Sequence, residues 1–249
     1  MGTQGSPATP SAESLAGSAA LVTGASRGIG AAVARRLAAA GARVGLLARS
    51  EAPLRALAAE IGGGAIVISC DVAREDAAGY ALAAFEDAGA AAPSIVVNNA
   101  GAFLLAPVGE TTTDDFRAML EVNLVAPFIL ARGCLPDMRA RGHGHVVTIG
   151  SIADRTVFPG NAAYAASKHG LRALHEVLRA ELRGTGVRAT LVSPGPVDTA
   201  LWNPIDPDNQ AGFTPRAQML GADAVADAVL YALLAPPEVN VDELRLSRS

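Results

Sequence analysis

The chain has 249 residues, a formal charge of −4, and is half hydrophobic with 4% aromatics. That length suits one large α/β domain with a core of Ala, Val, Leu and Ile. No basic stripe with interleaved aromatics points to nucleic acid. The apolar runs are broken by Arg, Gly or Asp before reaching bilayer length, so no membrane span is expected. Cys70 and Cys134 form no CxxC pair and read as small apolar side chains in a reducing, cytoplasmic setting. Residues 1–17 carry Gly, Ser, Thr, Pro and Ala with Glu13 as their one charge. They read as a disordered tail without the basic and apolar regions of a signal peptide.

From Ala19 onward, strand and helix patterns alternate. Residues 20–23 form a short apolar run, followed by an Ala-rich helix over 29–40 that Gly41 stops. Residues 43–48 make a second buried strand, and Ser50 can cap a helix with Pro53 in its first turn, ending near 61. Further β-branched runs lie at 66–69, 95–97, 146–149 and 188–192, with helical patterns at 76–87, 114–132 and 162–183. A helix at 223–234 and a strand at 243–246 close the chain. Fully apolar strands alternating with helices predict a single α/β domain over 18–249, a doubly wound parallel sheet covered on both faces. The one long irregular stretch, 199–220, is rich in Pro, Asn and Asp and reads as a lid.

Thr23-Gly24-Ala25-Ser26-Arg27-Gly28-Ile29-Gly30 joins the first strand to the first helix. Gly24, Gly28 and Gly30 permit a tight turn, backbone approach to a pyrophosphate and close helix packing. Free N–H groups at the helix start then face the anion. The second strand ends in Ala48-Arg49, where a carboxylate would select NAD. Arg49 with Arg27 instead suits the 2′-phosphate of NADP(H), although Glu51 nearby can reach the ribose. Asp71, followed by Val72, can accept from the adenine amino group. Asn98-Asn99-Ala100-Gly101 ends the fourth strand, with Asn99 tying strand ends together and Gly101 leaving room for the cofactor.

Tyr164 and Lys168 stand four apart on one helix face. An ammonium and an oxidised nicotinamide both favour phenolate, so Tyr164 can give a proton to a developing alkoxide or take one from an alcohol. Ser151, at the end of the fifth strand, can polarise the substrate oxygen.

Together these residues resemble the short-chain dehydrogenase/reductase family from Ala19 to near the C-terminus. The resemblance rests on the glycine loop, Asp71, the Asn98–Gly101 run, Asn123, Ser151, Tyr164, Lys168 and Pro194-Gly195. It implies a Rossmann fold with strand order 3-2-1-4-5-6-7 and a tetrad of Asn123, Ser151, Tyr164 and Lys168. It also implies that Lys168 holds the nicotinamide ribose, that Val197 and Thr199 secure the carboxamide, and that a homodimer or homotetramer forms through the 114–132 and 162–183 helices. Pro127 lacks the N–H that would bond the Asn123 carbonyl, so a kink is expected there, freeing that carbonyl for a proton-relay water beside Lys168.

His143 and His145 read as a polar turn rather than a metal pair, since no third ligand is evident and no metal is expected. His169 and His175 lie off the Tyr164 face and suit packing or an oligomer interface. Phe103, Leu104, Leu105, Phe158, Trp202 and Phe213 suggest apolar walls for a hydrophobic ketone or secondary alcohol, while Arg155 or Arg216 could meet an acidic substrate. The expected activity is NADP(H)-dependent interconversion of a carbonyl and an alcohol. The alternatives are a non-catalytic dinucleotide sensor on the same fold and, less well matched to the short C-terminal region, a nucleotide-sugar enzyme.

Overall fold

A computed structural model describes residues 15–249. Most of the expected N-terminal tail lies outside the described residues. Its last part does not behave as tail: Leu15 is buried, and its N–H bonds the Ala40 carbonyl at 2.8 Å.

Seven strands form one sheet: β1 (Ala19–Thr23), β2 (Arg43–Ala48), β3 (Ile66–Ser69), β4 (Ile95–Asn98), β5 (Gly144–Ile149), β6 (Val187–Pro194) and β7 (Glu243–Leu246). Every pairing is parallel and the order is β3-β2-β1-β4-β5-β6-β7. Order reverses between β1 and β4, opening a crevice at the carboxyl ends of those strands, where ligands of such sheets bind. The connecting helices are α1 (Gly28–Ala39), α2 (Glu51–Ile61), α3 (Ala77–Asp87), α4 (Thr113–Leu120), α5 (Ala126–Arg141), α6 (Ala162–Glu181) and α7 (Ala222–Leu234).

Alternate side chains of each strand feed opposite layers. Val22, Val97, Val147 and Val192 pack with Val33 and Leu37 of α1 and Val225 and Val229 of α7. Leu21, Val96 and Val146 pack on the other face with Phe85, Leu130 and Met138. Small residues set the spacing: a Cβ on Gly45 would stand 2.5 Å from the Phe85 ring, so α3 lies close over β2.

The helix expected to end at 132 runs on to Arg141. Gly133 within it is a packing contact, since a Cβ there would stand 2.4 Å from the Ala78 Cβ. The end comes at Gly142, at φ 66°, where its N–H and that of His143 bond the Arg139 and Met138 carbonyls. Between α4 and α5 the backbone winds as a π-turn over Glu121–Val125, and the Ala126 N–H reaches back to the Glu121 carbonyl. Pro127 follows in the first turn of α5, so the expected kink takes the form of a π-turn. By length and composition the continuous stretch Thr113–Arg141 could cross a bilayer, contrary to the sequence expectation. In the fold its α5 part packs on α3, β4 and β5 as a core helix.

His145 is also misplaced by sequence. It belongs to β5, where it is buried with Nε2 2.8 Å from the Thr190 hydroxyl. His175 of α6 is buried beside it, with Nδ1 2.9 Å from the Thr148 hydroxyl, the packing role expected. Burial pushes the two imidazoles down, to about 3 for His145 and about 4 for His175.

Candidate active site

A cleft of about 1210 Å³ runs along the carboxyl ends of the strands. Every residue singled out above for cofactor or catalysis lines it except Gly30 and Asn123, which lie behind its wall.

At the nucleotide end, the loop glycines are required by geometry. Gly24 and Gly28 have φ of +65° and +56°, and a Cβ on Gly24 would stand 2.9 Å from Ala100 Cα. Gly30 sits where a Cβ would come 2.4 Å from the Gly24 carbonyl oxygen, so only glycine lets α1 start so close under the loop. Thr23 fixes the crevice itself. Its hydroxyl accepts from the N–H groups of Asn99 and Ala100, each at 2.9 Å, and donates to the Val97 carbonyl. Asn99 Nδ2 donates back to the Thr23 carbonyl at 2.8 Å, the strand-tying role expected of it.

Arg27 and Arg49 are exposed on the cleft rim. Glu51, which the sequence left free to reach the ribose, is paired with Arg55 one helical turn on, Nη2 to Oε1 at 2.5 Å. Asp71 accepts from the Ala73 N–H at 3.0 Å, which holds the chain turned after β3 with Val72 on the cleft wall. Ser50 precedes α2 but makes no side-chain cap bond among the described residues.

At the other end, Ser151 opens the one-turn helix Ile152–Asp154, and its hydroxyl accepts from the Ala153 N–H at 3.1 Å. Tyr164 is half-buried on α6. Lys168 is buried, with Nζ 3.0 Å from the Ile149 carbonyl and 5.8 Å from the centre of the Tyr164 ring. Among the protein's own groups, burial raises the Tyr164 phenol, opposed by hydrogen bonding from Ser151 and reinforced by the Asp154 carboxylate. Burial thus opposes the lowering that the sequence reading expects from the ammonium together with an oxidised nicotinamide. Lys168 is pushed down to about 8, again by burial, with Asp154 acting against the shift.

Asn123 is fully buried and works as a clamp. Its Oδ1 accepts from the Ala102 N–H at 2.8 Å, and its Nδ2 donates to the Ala102 carbonyl and the Ser167 hydroxyl, each at 3.0 Å. It therefore ties the loop after β4 to α6, next to Lys168 in sequence. The sequence reading missed Ala102 and Ser167 as its partners, and missed Asp154; no local motif marks such contacts.

The substrate half is apolar. Phe103 packs edge-on against Tyr164 with ring centres 4.8 Å apart, Trp202 lies 5.3 Å beyond Phe103, and Phe213 lies 6.2 Å beyond Trp202. The indole N–H is satisfied by the Val197 carbonyl at 3.0 Å. Neither arginine nominated for an acidic substrate lines the cleft. Arg155 forks onto Glu243 at 2.5 and 2.7 Å. Arg216 binds Asp198 Oδ1 at 2.6 Å, Asn203 Oδ1 at 2.8 Å and the Thr199 carbonyl at 3.1 Å, stapling the two ends of the 199–220 stretch. Their own carboxylates satisfy both guanidiniums.

A parallel sheet with this order, a glycine loop at its switch point and a Ser/Tyr/Lys cluster beyond define a dinucleotide-binding oxidoreductase. The family model for short chain dehydrogenases matches residues 18–210. The chain is 36% identical over 248 residues to dehydrogenase/reductase SDR family member 11 of Gallus gallus, covering 94% of this chain and 97% of that one. It is 38% identical over 238 residues to a glycine betaine reductase of Emericella nidulans, covering 92% of this chain but spanning only 18% of that protein's length. A metagenomic short-chain oxidoreductase solved in complex with NADP superposes with a TM-score of 0.80 at 35% identity, covering 95% of this chain and 99% of that one. The chain belongs to the short-chain dehydrogenase/reductase family, whose members bind NAD(P).

Proposed function

We propose that this protein uses NADP(H) to interconvert a ketone or aldehyde and an alcohol. The observation that carries the reading is one cleft joining the glycine loop to Ser151, Tyr164 and Lys168. The nucleotide end fits a dinucleotide because Gly24, Gly28 and Gly30 stand where side chains would fill the cradle. Bound there, the dinucleotide supplies or accepts the hydride. The N–H groups at the start of α1, with Ser26 and Ile29 beside them, would hold the pyrophosphate. Arg27 and Arg49 would take the 2′-phosphate, a reading supported by the engagement of Glu51 with Arg55. Asp71 and Val72 would border the adenine, while Pro194, Gly195, Val197 and Thr199 would line the nicotinamide side.

Ser151 orients and polarises the substrate oxygen, and Tyr164 gives that oxygen its proton during reduction or removes it during oxidation. Lys168 supports Tyr164 and holds the ribose; Asn123 fixes the loop that frames them. The aromatic wall Phe103–Trp202–Phe213 and the absence of Arg155 and Arg216 from the cleft lining suit a neutral, apolar carbonyl. The 199–220 stretch acts as the lid, and a dimer or tetramer is the assembly proposed.

The test is thermal stabilisation by NADPH and NADH at matched concentrations, followed by turnover of apolar ketones. A larger shift with NADPH and consumption of NADPH with ketone are expected. A larger shift with NADH would overturn the cofactor choice. Binding without turnover of any carbonyl or alcohol would make the protein a dinucleotide sensor.

A further inference from the structure

Asn161 stands in the lining of the cleft, 6% exposed, three residues before Tyr164. Its Oδ1 is buried without a hydrogen-bond partner among the described residues. Asn161 precedes α6 at the N-cap position, where an Asn oxygen ordinarily accepts from an N–H of the first turn. It makes no such bond. The side chain does not hold the turn either, because the backbone does. The Asn161 carbonyl accepts from the Ala165 N–H at 2.8 Å, Asn161 forms an isolated parallel bridge with Ala106, and the Ala106 N–H bonds the Gly160 carbonyl at 2.8 Å. Gly160, at φ +74°, brings the turn so close to Leu105 that a Cβ would stand 3.2 Å from its Cδ1.

Other polar side chains around the cleft, Thr23, Asn99 and Asn123, use their polar atoms within the protein. Among the described residues that line the cleft, Asn161 is the one with a buried side-chain polar atom left unpartnered. Such a group is unfavourable until it is bonded, and a partner entering the cleft removes the penalty. An amide offers one acceptor and two donors, and a turn about its last torsion presents either end. Asn161 and Tyr164 stand one turn apart, a spacing that leaves Cβ atoms roughly 5–6 Å from each other. An atom bonded to the amide therefore lies only a few bonds from an oxygen bonded to the phenol.

We propose that Asn161 is a specificity-determining residue. Its amide hydrogen-bonds a second oxygen of the substrate, a hydroxyl or carbonyl one or two carbons from the carbonyl that is reduced. The proposal rests on the cleft being a carbonyl site and names the substrate class more closely. The substrate is apolar along the Phe103–Trp202–Phe213 wall and carries two neighbouring oxygens at the Tyr164 end. A plain ketone leaves the amide unpaired and is discriminated against for that reason.

The experiment measures kcat/KM with NADPH for diacetyl and for butanone, ketones of equal length that differ in the second oxygen. Wild type is compared with Asn161→Leu, which keeps the size of the side chain and removes its polar atoms. The diacetyl-to-butanone ratio should fall by about 10- to 100-fold in the variant. Comparing ratios cancels the greater intrinsic reactivity of the dione. An unchanged ratio, including equal losses for both ketones, overturns the proposal and leaves the side chain a merely structural part of the turn. If Asn161→Leu does not fold, Asn161→Ser carries the same test, since it keeps a residue favoured at the N-cap and withdraws the amide. Binding is read separately, as thermal stabilisation of the NADP+-loaded protein by acetoin and by butanone. If wild type turns over neither ketone, the carbonyl-reductase reading fails. A larger shift with acetoin that is lost in the variant still supports Asn161 in that case, and equal shifts refute it.

Discussion

The two ends of the cleft are built by different means. The nucleotide end is backbone: strand ends, a glycine turn and a helix start, closed by one hydroxyl from Thr23. The reacting end is side chains from distant segments, with Phe103 from the loop after β4, Tyr164 and Lys168 from α6, and Trp202 and Phe213 from the 199–220 stretch. Backbone cradles depend on short motifs, so relatives can share them while differing in what they reduce. Specificity is left to the end made of side chains.

The sharpest way to separate the ends is Tyr164→Phe. Turnover should fall by roughly 10²–10⁴-fold, while the thermal shift with NADPH stays at the wild-type value. Loss of both together would show that the ends are not independent. Removing Arg27 and Arg49 together, each to Ala, probes the opposite end. The affinity for NADPH should fall roughly 10- to 100-fold, with NADH unaffected, as read from the two dissociation constants.

Beneath the reacting end, the buried His145 and His175 link the fold to pH. Both are held neutral, with folded values near 3 and 4 against an ordinary 6.5. The unfolded chain takes up protons below pH 6.5 that the folded chain refuses, so stability present above 6.5 is lost as pH falls toward 4. Each histidine adds a slope of up to about 1.4 kcal/mol per pH unit. Urea midpoints between pH 7 and 5 measure it, and a flat profile would refute the burial argument. The smallest effect expected is from Trp202→Ala. KM for an apolar ketone should rise about threefold to tenfold with kcat little changed, since the indole adds binding surface rather than chemistry.

Much of this architecture was legible in the sequence. β2, β3 and β7 fall on the expected residues, and the sheet order is the one the resemblance implied. The β2 and β3 signals are local apolar runs, whereas the order rested on the resemblance. What was misread depends on contacts far away in sequence. The helix expected to end at 132 runs on to Arg141, and Gly133 within it is a contact with Ala78. Arg155 looks available to a substrate and is held by Glu243, 88 residues on. Asp154 follows no motif, and only the arrival of Ser193 from β6 makes it a buried acceptor. At Tyr164 the spacing shows the lysine but not the burial that opposes it.

The Thr23 hydroxyl has one more consequence. By gathering two N–H groups from one strand end while bonding the strand's own carbonyl, it sets the width of the crevice before anything enters. A guest arriving there meets a rigid jaw and spends little of its affinity on ordering the host. The mobile cost of closing the site is therefore left to the other end, where Arg216 and the Val197–Leu220 bridge staple the neck of a long loop. Residence time should be governed at that staple rather than at the glycines.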